Sequence, residues 1–129
     1  MPSPDAPPSH RRIAVLGASG SPDRCSNRAI HRLLKAGFPV VPINPNIPEA
    51  AGLTCLPSLD QIEDAIDTVT VYLSPARSHP LADSLIALRP NRVVFNPGAE
   101  NPELGRTLLK NGIAVLEACT LIMLDADTF

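Results

Sequence analysis

One stretch, residues 13–46 (IAVLGASGSPDRCSNRAIHRLLKAGFPVVPINPN), constrains the fold of this chain more than any other. An apolar run of Ile13, Ala14, Val15 and Leu16 breaks at Gly17-Ala18-Ser19-Gly20-Ser21. It resumes with helical spacing that sets Ile30, Leu33 and Leu34 on one face. Gly37 ends that pattern, and a second apolar run follows at residues 40–43. This order spells a strand, a small-residue turn, a helix and a parallel strand. Such a turn leaves backbone N–H groups free at a helix N-terminus, where the helix dipole also favours anions. The implied ligand is a nucleotide that carries phosphate. The plainer alternative, that residues 17–21 are only a tight turn, stays open at this point.

The end of the second strand narrows the ligand. Sites that take NAD usually place Asp or Glu there, to accept hydrogen bonds from the ribose hydroxyls. Here that place holds Asn44, followed by Pro45 and Asn46. The glycine pattern also departs from G-x-G-x-x-G, because Ser19 and Pro22 stand where the second and third glycines would fall. Both features count against a dehydrogenase.

The ordered set of residues resembles the small stand-alone CoA-binding proteins related to the N-terminal domain of the succinyl-CoA synthetase alpha subunit. The resemblance rests on Val15-Leu16-Gly17-Ala18-Ser19, on Arg24, Ser26 and Arg28, and on Asn44-Pro45. Further on, Asn96-Pro97-Gly98 and Glu117-Ala118-Cys119 match the family's fourth-strand turn and the Cys after its last strand. It spans about residues 11–129, nearly the whole chain. Two departures stand out: Asn46 where many relatives have Lys, and Thr120-Leu121 where they have Pro-Lys.

A chain of 129 residues makes one domain, long enough to bury a core. Its 44% hydrophobic and 19% charged residues fit a compact soluble globule. No run approaches the roughly 20 apolar residues of a membrane helix, and the N-terminus has no apolar signal core. A net charge of −2, with a single Tyr and no Trp, gives nucleic acid neither an electrostatic nor a stacking partner. Cys25, Cys55 and Cys119 are odd in number and form no C-x-x-C pair, which suits free thiols in a reducing cytoplasm.

Residues 1–10 hold four of the fifteen prolines and almost nothing to bury, and read as an extended tail ahead of a domain over residues 11–129. Strand one is expected at residues 12–16, helix one from an N-cap at Ser26 to Gly37, and strand two at residues 39–43. A Pro-rich connection leads to Ser58-Leu59-Asp60-Gln61, a capping-box pattern for a short helix with Leu59, Ile62 and Ile66 inward. Strand three is expected at residues 68–73, β-branched and buried on both faces. A helix rich in Leu and Ala then runs to about residue 88, and strand four covers residues 93–95. Asn101-Pro102-Glu103 opens a further helix with cap, N1 proline and first-turn acid in favoured places. Gly112 closes it, and residues 113–116 form strand five. This alternation calls for a Rossmann-like three-layer α/β sandwich: a five-stranded parallel sheet with helices on both faces.

In an open parallel sheet, ligands bind beyond the carboxyl ends of the strands, near the switch in strand order. The loops at that edge are rich in Ser, Asn, Gly and Pro, which suit a diphosphate, a ribose and pantetheine amides. The resemblance implies CoA or an acyl-CoA held by Gly17, Ala18, Ser19, Ser21, Arg24 and Ser26 after strand one. It adds Asn44, Pro45 and Asn46 after strand two, Ser74 and Pro75 after strand three, Asn96, Pro97 and Gly98 after strand four, and Cys119 after strand five. With Asn46 in place of a lysine, Arg24 is expected to be the main cationic contact, because a guanidinium grips phosphate oxygens bidentately. Its alternative is a solvated loop arginine, and Asn44 and Asn46 have the alternative of forming only a turn. Arg28 and Arg32, four apart, are expected on the outer face of helix one.

Catalysis finds no constellation. His10, His31 and His79 are scattered, with no Ser-His-Asp order and no metal-ligand spacing. Asp60, Glu63, Asp64 and Asp67 read as a solvated helix face. Cys119 has reactive potential at the binding edge, or none as a small buried hydrophobe. The expectation is a non-catalytic module for a small-molecule ligand, without metal, nucleic-acid or membrane partner. Alternatives are a nicotinamide-dependent oxidoreductase or its subunit, and a CoA-presenting subunit of a CoA ligase encoded elsewhere; a homodimer or a ligase partner is the expected assembly.

Overall fold

The computed structural model describes residues 6–129. Among the described residues seven strands and five α-helices succeed one another. They are β1 (Ile13–Leu16), α1 (Cys25–Lys35), β2 (Val40–Ile43), β3 (Glu49–Ala50), β4 (Leu53–Thr54), β5 (Thr68–Val71), α2 (Pro75–Ser78), α3 (Ala82–Leu88), β6 (Arg92–Phe95), α4 (Pro102–Lys110), β7 (Ala114–Glu117) and α5 (Thr120–Asp125). Of the N-terminal ten residues, 1–5 lie outside the described part, and Pro8–His10 form one exposed 3-10 turn.

The main sheet is parallel throughout, in the order β2-β1-β5-β6-β7, as the alternation of elements requires. The chain steps from β1 outward to β2, then crosses back to β5 on the other side of β1. The strand order therefore switches between β1 and β5, the place where an open sheet leaves a crevice at its carboxyl edge. Both strands are buried along their whole length. Their alternate residues feed two cores. Ile13 and Val15 pack with Ala18, Ile30, Leu33 and Phe38 on the α1 side. Ala14, Leu16, Val69 and Val71 pack with Leu85, Phe95, Leu104 and Leu108 on the α3 and α4 side. This is the expected Rossmann-like three-layer fold.

Several local expectations change. Helix α1 starts at Cys25, with Arg24 at the N-cap and no side-chain cap, so Ser26 sits inside the first turn and is buried rather than capping it. Leu34 is 38% exposed while Ile30 and Leu33 are fully buried. The capping-box segment makes only a 3-10 turn, Leu59–Gln61, without a side-chain cap, and turns extended at Ile62. The helix expected after strand three is broken into α2, a 3-10 turn at His79–Leu81, and α3. Pro80 accounts for the break, since it lacks an N–H and its ring clashes with the carbonyl four residues back. The Pro-rich connection holds a small β3–β4 hairpin, and a further helix, α5, follows β7. Asn101 behaves as expected: its side chain accepts from the Leu104 N–H at 3.2 Å.

Candidate functional site

At the carboxyl edge, over the β1/β5 switch, lies a cleft of about 1010 Å³. Its first wall is the turn after β1. Gly17 has φ +90°, a conformation L side chains rarely adopt. A Cβ there would also stand 3.0 Å from Leu73 Cδ2 and 3.3 Å from the Tyr72 carbonyl carbon. The backbone angle demands glycine, and Leu73 and Tyr72 leave little room beside it. Side-chain amides pin the turn. Asn27 Nδ2 donates to the Ser19 carbonyl at 2.7 Å, and Asn44 Nδ2 donates to the Ala18 carbonyl at 2.7 Å. The Ser19 hydroxyl oxygen accepts from the Ser21 N–H at 3.1 Å. The loop is held in shape by its own neutral polar groups, while the first-turn N–H groups of α1 have no intrahelical partners. Cys25 and Ser26, at that turn, line the cleft.

The second wall comes from the end of β2. Asn44 Oδ1 accepts from the Asn46 N–H at 2.7 Å, the local turn that Asn-Pro sequences favour. Both functional groups of Asn44 are therefore engaged within the chain. The remaining wall is built by Ser74 and Arg77 around the start of α2, by Leu81 and Ser84, and by residues 57–60. Two guanidinium groups, Arg24 and Arg77, and two carboxylates, Asp23 and Asp60, line the cleft, all on exposed residues.

Tyr72 also lines the cleft, but its hydroxyl is shut away beside the Thr70 and Thr120 hydroxyls, with no partner in hydrogen-bonding geometry. Burial pushes its phenol up to about 12, against the opposing pull of those two hydroxyls. It is a neutral group at any ordinary pH.

Of the residues expected at the ligand, Gly17, Ala18, Ser19, Arg24, Ser26, Asn44, Pro45, Asn46 and Ser74 are brought together around this cleft. Ser21, Pro75, Asn96, Pro97, Gly98 and Cys119 are not among its lining residues. Ser21 lies exposed one step past the turn, and Pro75 serves as the first residue of α2. Asn96 is 2% exposed and its amide is spent inside the protein. It donates to Thr70 Oγ1 at 2.7 Å and to the Val71 carbonyl at 3.0 Å, and accepts from the Thr120 N–H at 2.9 Å. Gly98 turns the following loop, its N–H donating to Glu100 Oε1 at 2.8 Å. Cys119 is half-buried at the N-cap of α5.

Asn27, Tyr72, Leu81 and Ser84 were not singled out from sequence. Only Asn27 had a signal: a carboxamide at position 27 on the stripe that carries Ile30, where a core residue would otherwise stand. Arg32, expected on the outer face of α1, forms an ion pair with Asp125 and ties α1 to α5. Arg28 is exposed. Among the described residues no cluster of three His, Cys, Asp or Glu could hold a metal ion, and no helix is long and apolar enough to cross a membrane.

Residues 11–125 match the model of the CoA binding domain family. The uncharacterized protein YneT of Bacillus subtilis is 31% identical over 106 residues, 82% of this chain and 78% of its own length. A crystal structure of an uncharacterized protein superposes with TM-score 0.88 at 35% identity, covering 92% of this chain and 98% of that one. The dinucleotide-forming acetyl-coenzyme A synthetase 1 of Ca. Korarchaeum cryptofilum, solved with phosphate and ADP, superposes with TM-score 0.72 at 28% identity. The match covers 86% of this chain but only 26% of the synthetase.

Proposed function

This chain belongs to the CoA-binding domain family, and from that premise we propose that it holds CoA or an acyl-CoA in the cleft over the β1/β5 switch. It acts as a binding module with no catalytic residue of its own. The observation that carries the reading is the turn at Gly17, where the backbone angle requires glycine and Leu73 and Tyr72 leave little room beside it. The turn holds the N-terminus of α1 at the cleft, where Cys25 and Ser26 line it, and a helix N-terminus is what a diphosphate needs. Arg24 and Arg77 supply charge for the phosphates. The apolar side chains of Ile47, Leu59, Leu73 and Leu81 offer the pantetheine arm a wall to lie along. Free thiols at Cys25, Cys55 and Cys119 suit a reducing cytoplasm.

Asn44 supports CoA over a nicotinamide cofactor. It stands where a ribose-binding acid would, and its amide is engaged by Ala18 and Asn46. Calorimetric titration with CoA, acetyl-CoA and NAD tests the proposal: CoA or its thioester binds and NAD does not. NAD binding as tightly as CoA would overturn it. A second reading, a CoA-presenting subunit for a ligase encoded elsewhere, draws on the likeness to one quarter of the Korarchaeum synthetase. Capture of a CoA ligase from native lysate by the tagged chain distinguishes it.

A further inference from the structure

The carboxyl edge divides into two halves that differ in what they leave free. Around β2, β1 and β5, groups able to hold an anion are unspent. The first turn of α1 has no side-chain cap, and Ser74 stands at the N-cap of α2 without bonding to it. Arg24 and Arg77 line the cleft, and neither has an ion-pair partner among the described residues.

Around β6 and β7 the corresponding groups are consumed by the protein itself. The Asn96 side chain is held by Thr70, Val71 and Thr120. Its backbone is engaged as well: the N–H donates to the Val71 carbonyl at 3.2 Å, and the carbonyl accepts from the Ala99 N–H at 2.8 Å. Pro97 has no N–H, and that of Gly98 donates to Glu100. The Ala118 N–H donates to the Phe95 carbonyl at 3.1 Å, and the Cys119 carbonyl accepts from the Met123 N–H at 2.9 Å. None of residues 96–98 or 118–119 lines the cleft.

We infer that this chain recognises the 3′-phospho-ADP half shared by CoA and all its thioesters, and does not read the acyl group. The inference rests on the CoA reading above and narrows it. CoA joins a strongly anionic nucleotide to a neutral arm that ends in a thiol or thioester. Cations and a helix N-terminus suit the phosphates, and those are the unspent groups. A thioester carbonyl would need a donor aimed at it, and the loops after β6 and β7 have paired theirs internally. Leu73 and Leu81 meet the arm, which every thioester has in common. The end of the cleft toward α3 offers Asp60, whose carboxylate repels a carbonyl oxygen, and a single hydroxyl, Ser84.

A site that reads a group by hydrogen bonds rejects ligands without it by orders of magnitude, because its own donors are then left unpaired. Donors already paired within the protein carry no such penalty. Occupancy then follows the summed concentration of CoA and its thioesters rather than the level of any one of them.

Titration calorimetry of the wild-type chain with CoA, acetyl-CoA, butyryl-CoA, succinyl-CoA, 3′-phospho-ADP and pantetheine tests this. The three thioesters should bind within about threefold of CoA and 3′-phospho-ADP within about tenfold, with no measurable binding of pantetheine. Arg77→Ala should weaken CoA and 3′-phospho-ADP alike, by about tenfold, as loss of a charge-assisted contact does. Ser84→Ala should move CoA and its thioesters together. A thioester preferred over CoA by more than about tenfold overturns the inference and leaves the CoA reading standing. So does pantetheine that binds as tightly as 3′-phospho-ADP, or an Arg77→Ala chain that loses affinity for CoA but not for 3′-phospho-ADP. If neither CoA nor 3′-phospho-ADP binds, the reading and the inference fall together.

Discussion

The two ends of the sheet solve opposite problems. At the amino end, charged side chains are buried and consumed by one another. Arg11, 7% exposed, places Nε 3.2 Å from Asp67 Oδ2 and donates to the Phe129 carbonyl at 3.2 Å. Thr68 and Asn91 donate to the two Asp67 oxygens at 2.7 and 3.0 Å. The Arg11 and Arg92 guanidinium groups lie 5.9 and 4.5 Å from the Phe129 ring centre, and Phe38 meets that ring edge-on at 5.4 Å. Burial, then the neighbouring Arg11, lowers the Arg92 pKa, with Asp67 opposing. At the carboxyl end the charges of Arg24, Arg77, Asp23 and Asp60 stand on exposed residues, and neutral amides shape the backbone instead. Charge is spent on the fold at one end and kept available at the other. Stability and ligand affinity should therefore respond to different substitutions.

Asp67→Ala should break the amino end. It leaves Arg11 buried without its carboxylate, a change that typically costs about 3–5 kcal/mol. Urea denaturation should show that loss while CoA affinity of the folded protein stays within about twofold. A large affinity loss would mean the two ends are coupled.

Gly17→Val should do the reverse. The added side chain is strained at φ +90° and meets Leu73, so CoA affinity should fall more than a hundredfold in titration while the domain still melts cooperatively. Retained affinity would reduce the turn to a mere connection.

Arg24→Ala sharpens the electrostatic half of the contrast. A charge-assisted hydrogen bond is worth about 1.5–3 kcal/mol, so affinity should drop about ten- to a hundredfold, and less as salt rises. Arg28→Ala, on an exposed residue of α1 that does not line the cleft, should change it little. A larger loss in Arg28→Ala would assign the phosphate contact to the wrong arginine.

Tyr72 is where the contrast is least sharp, since the carboxyl end also buries one ionisable group. Its phenol is raised to about 12 in the folded chain, above the roughly 10 of an unfolded one. The unfolded state therefore loses its proton first, and stability present below pH 10 should be lost as pH rises through 12, by roughly 3 kcal/mol. Alkaline unfolding of Tyr72→Phe should lack that share; equal pH slopes would show that the phenol is solvated.

Short-range order was legible in the sequence. The strand-turn-helix-strand start and the Asn101-Pro102-Glu103 cap depend on contacts a few residues apart, which periodicity and cap chemistry report directly. The cleft was legible where it coincides with strand-end turns, at residues 17–26, 44–46 and Ser74. Pro80 lay in plain view inside the Leu- and Ala-rich pattern, and its breaking effect outweighs that periodicity.

What the sequence determined by itself is the parallel α/β layering, since alternating apolar strands and amphipathic helices have few other ways to bury both faces. The glycine at position 17 and the missing acid at position 44 were likewise readable, because backbone freedom and charge belong to a residue type. Tertiary structure alone decided which polar groups remain for a ligand. Asn96 looks as available as Ser74 in sequence, yet Thr70, Val71 and Thr120, from β5 and the start of α5, use up its amide, while Ser74 stays exposed at the cleft. Asn27 and Tyr72 join the site through packing against residues at other positions in the chain. A hydrogen bond's partner is set by which distant segments the fold brings within 3 Å, and no local pattern records that.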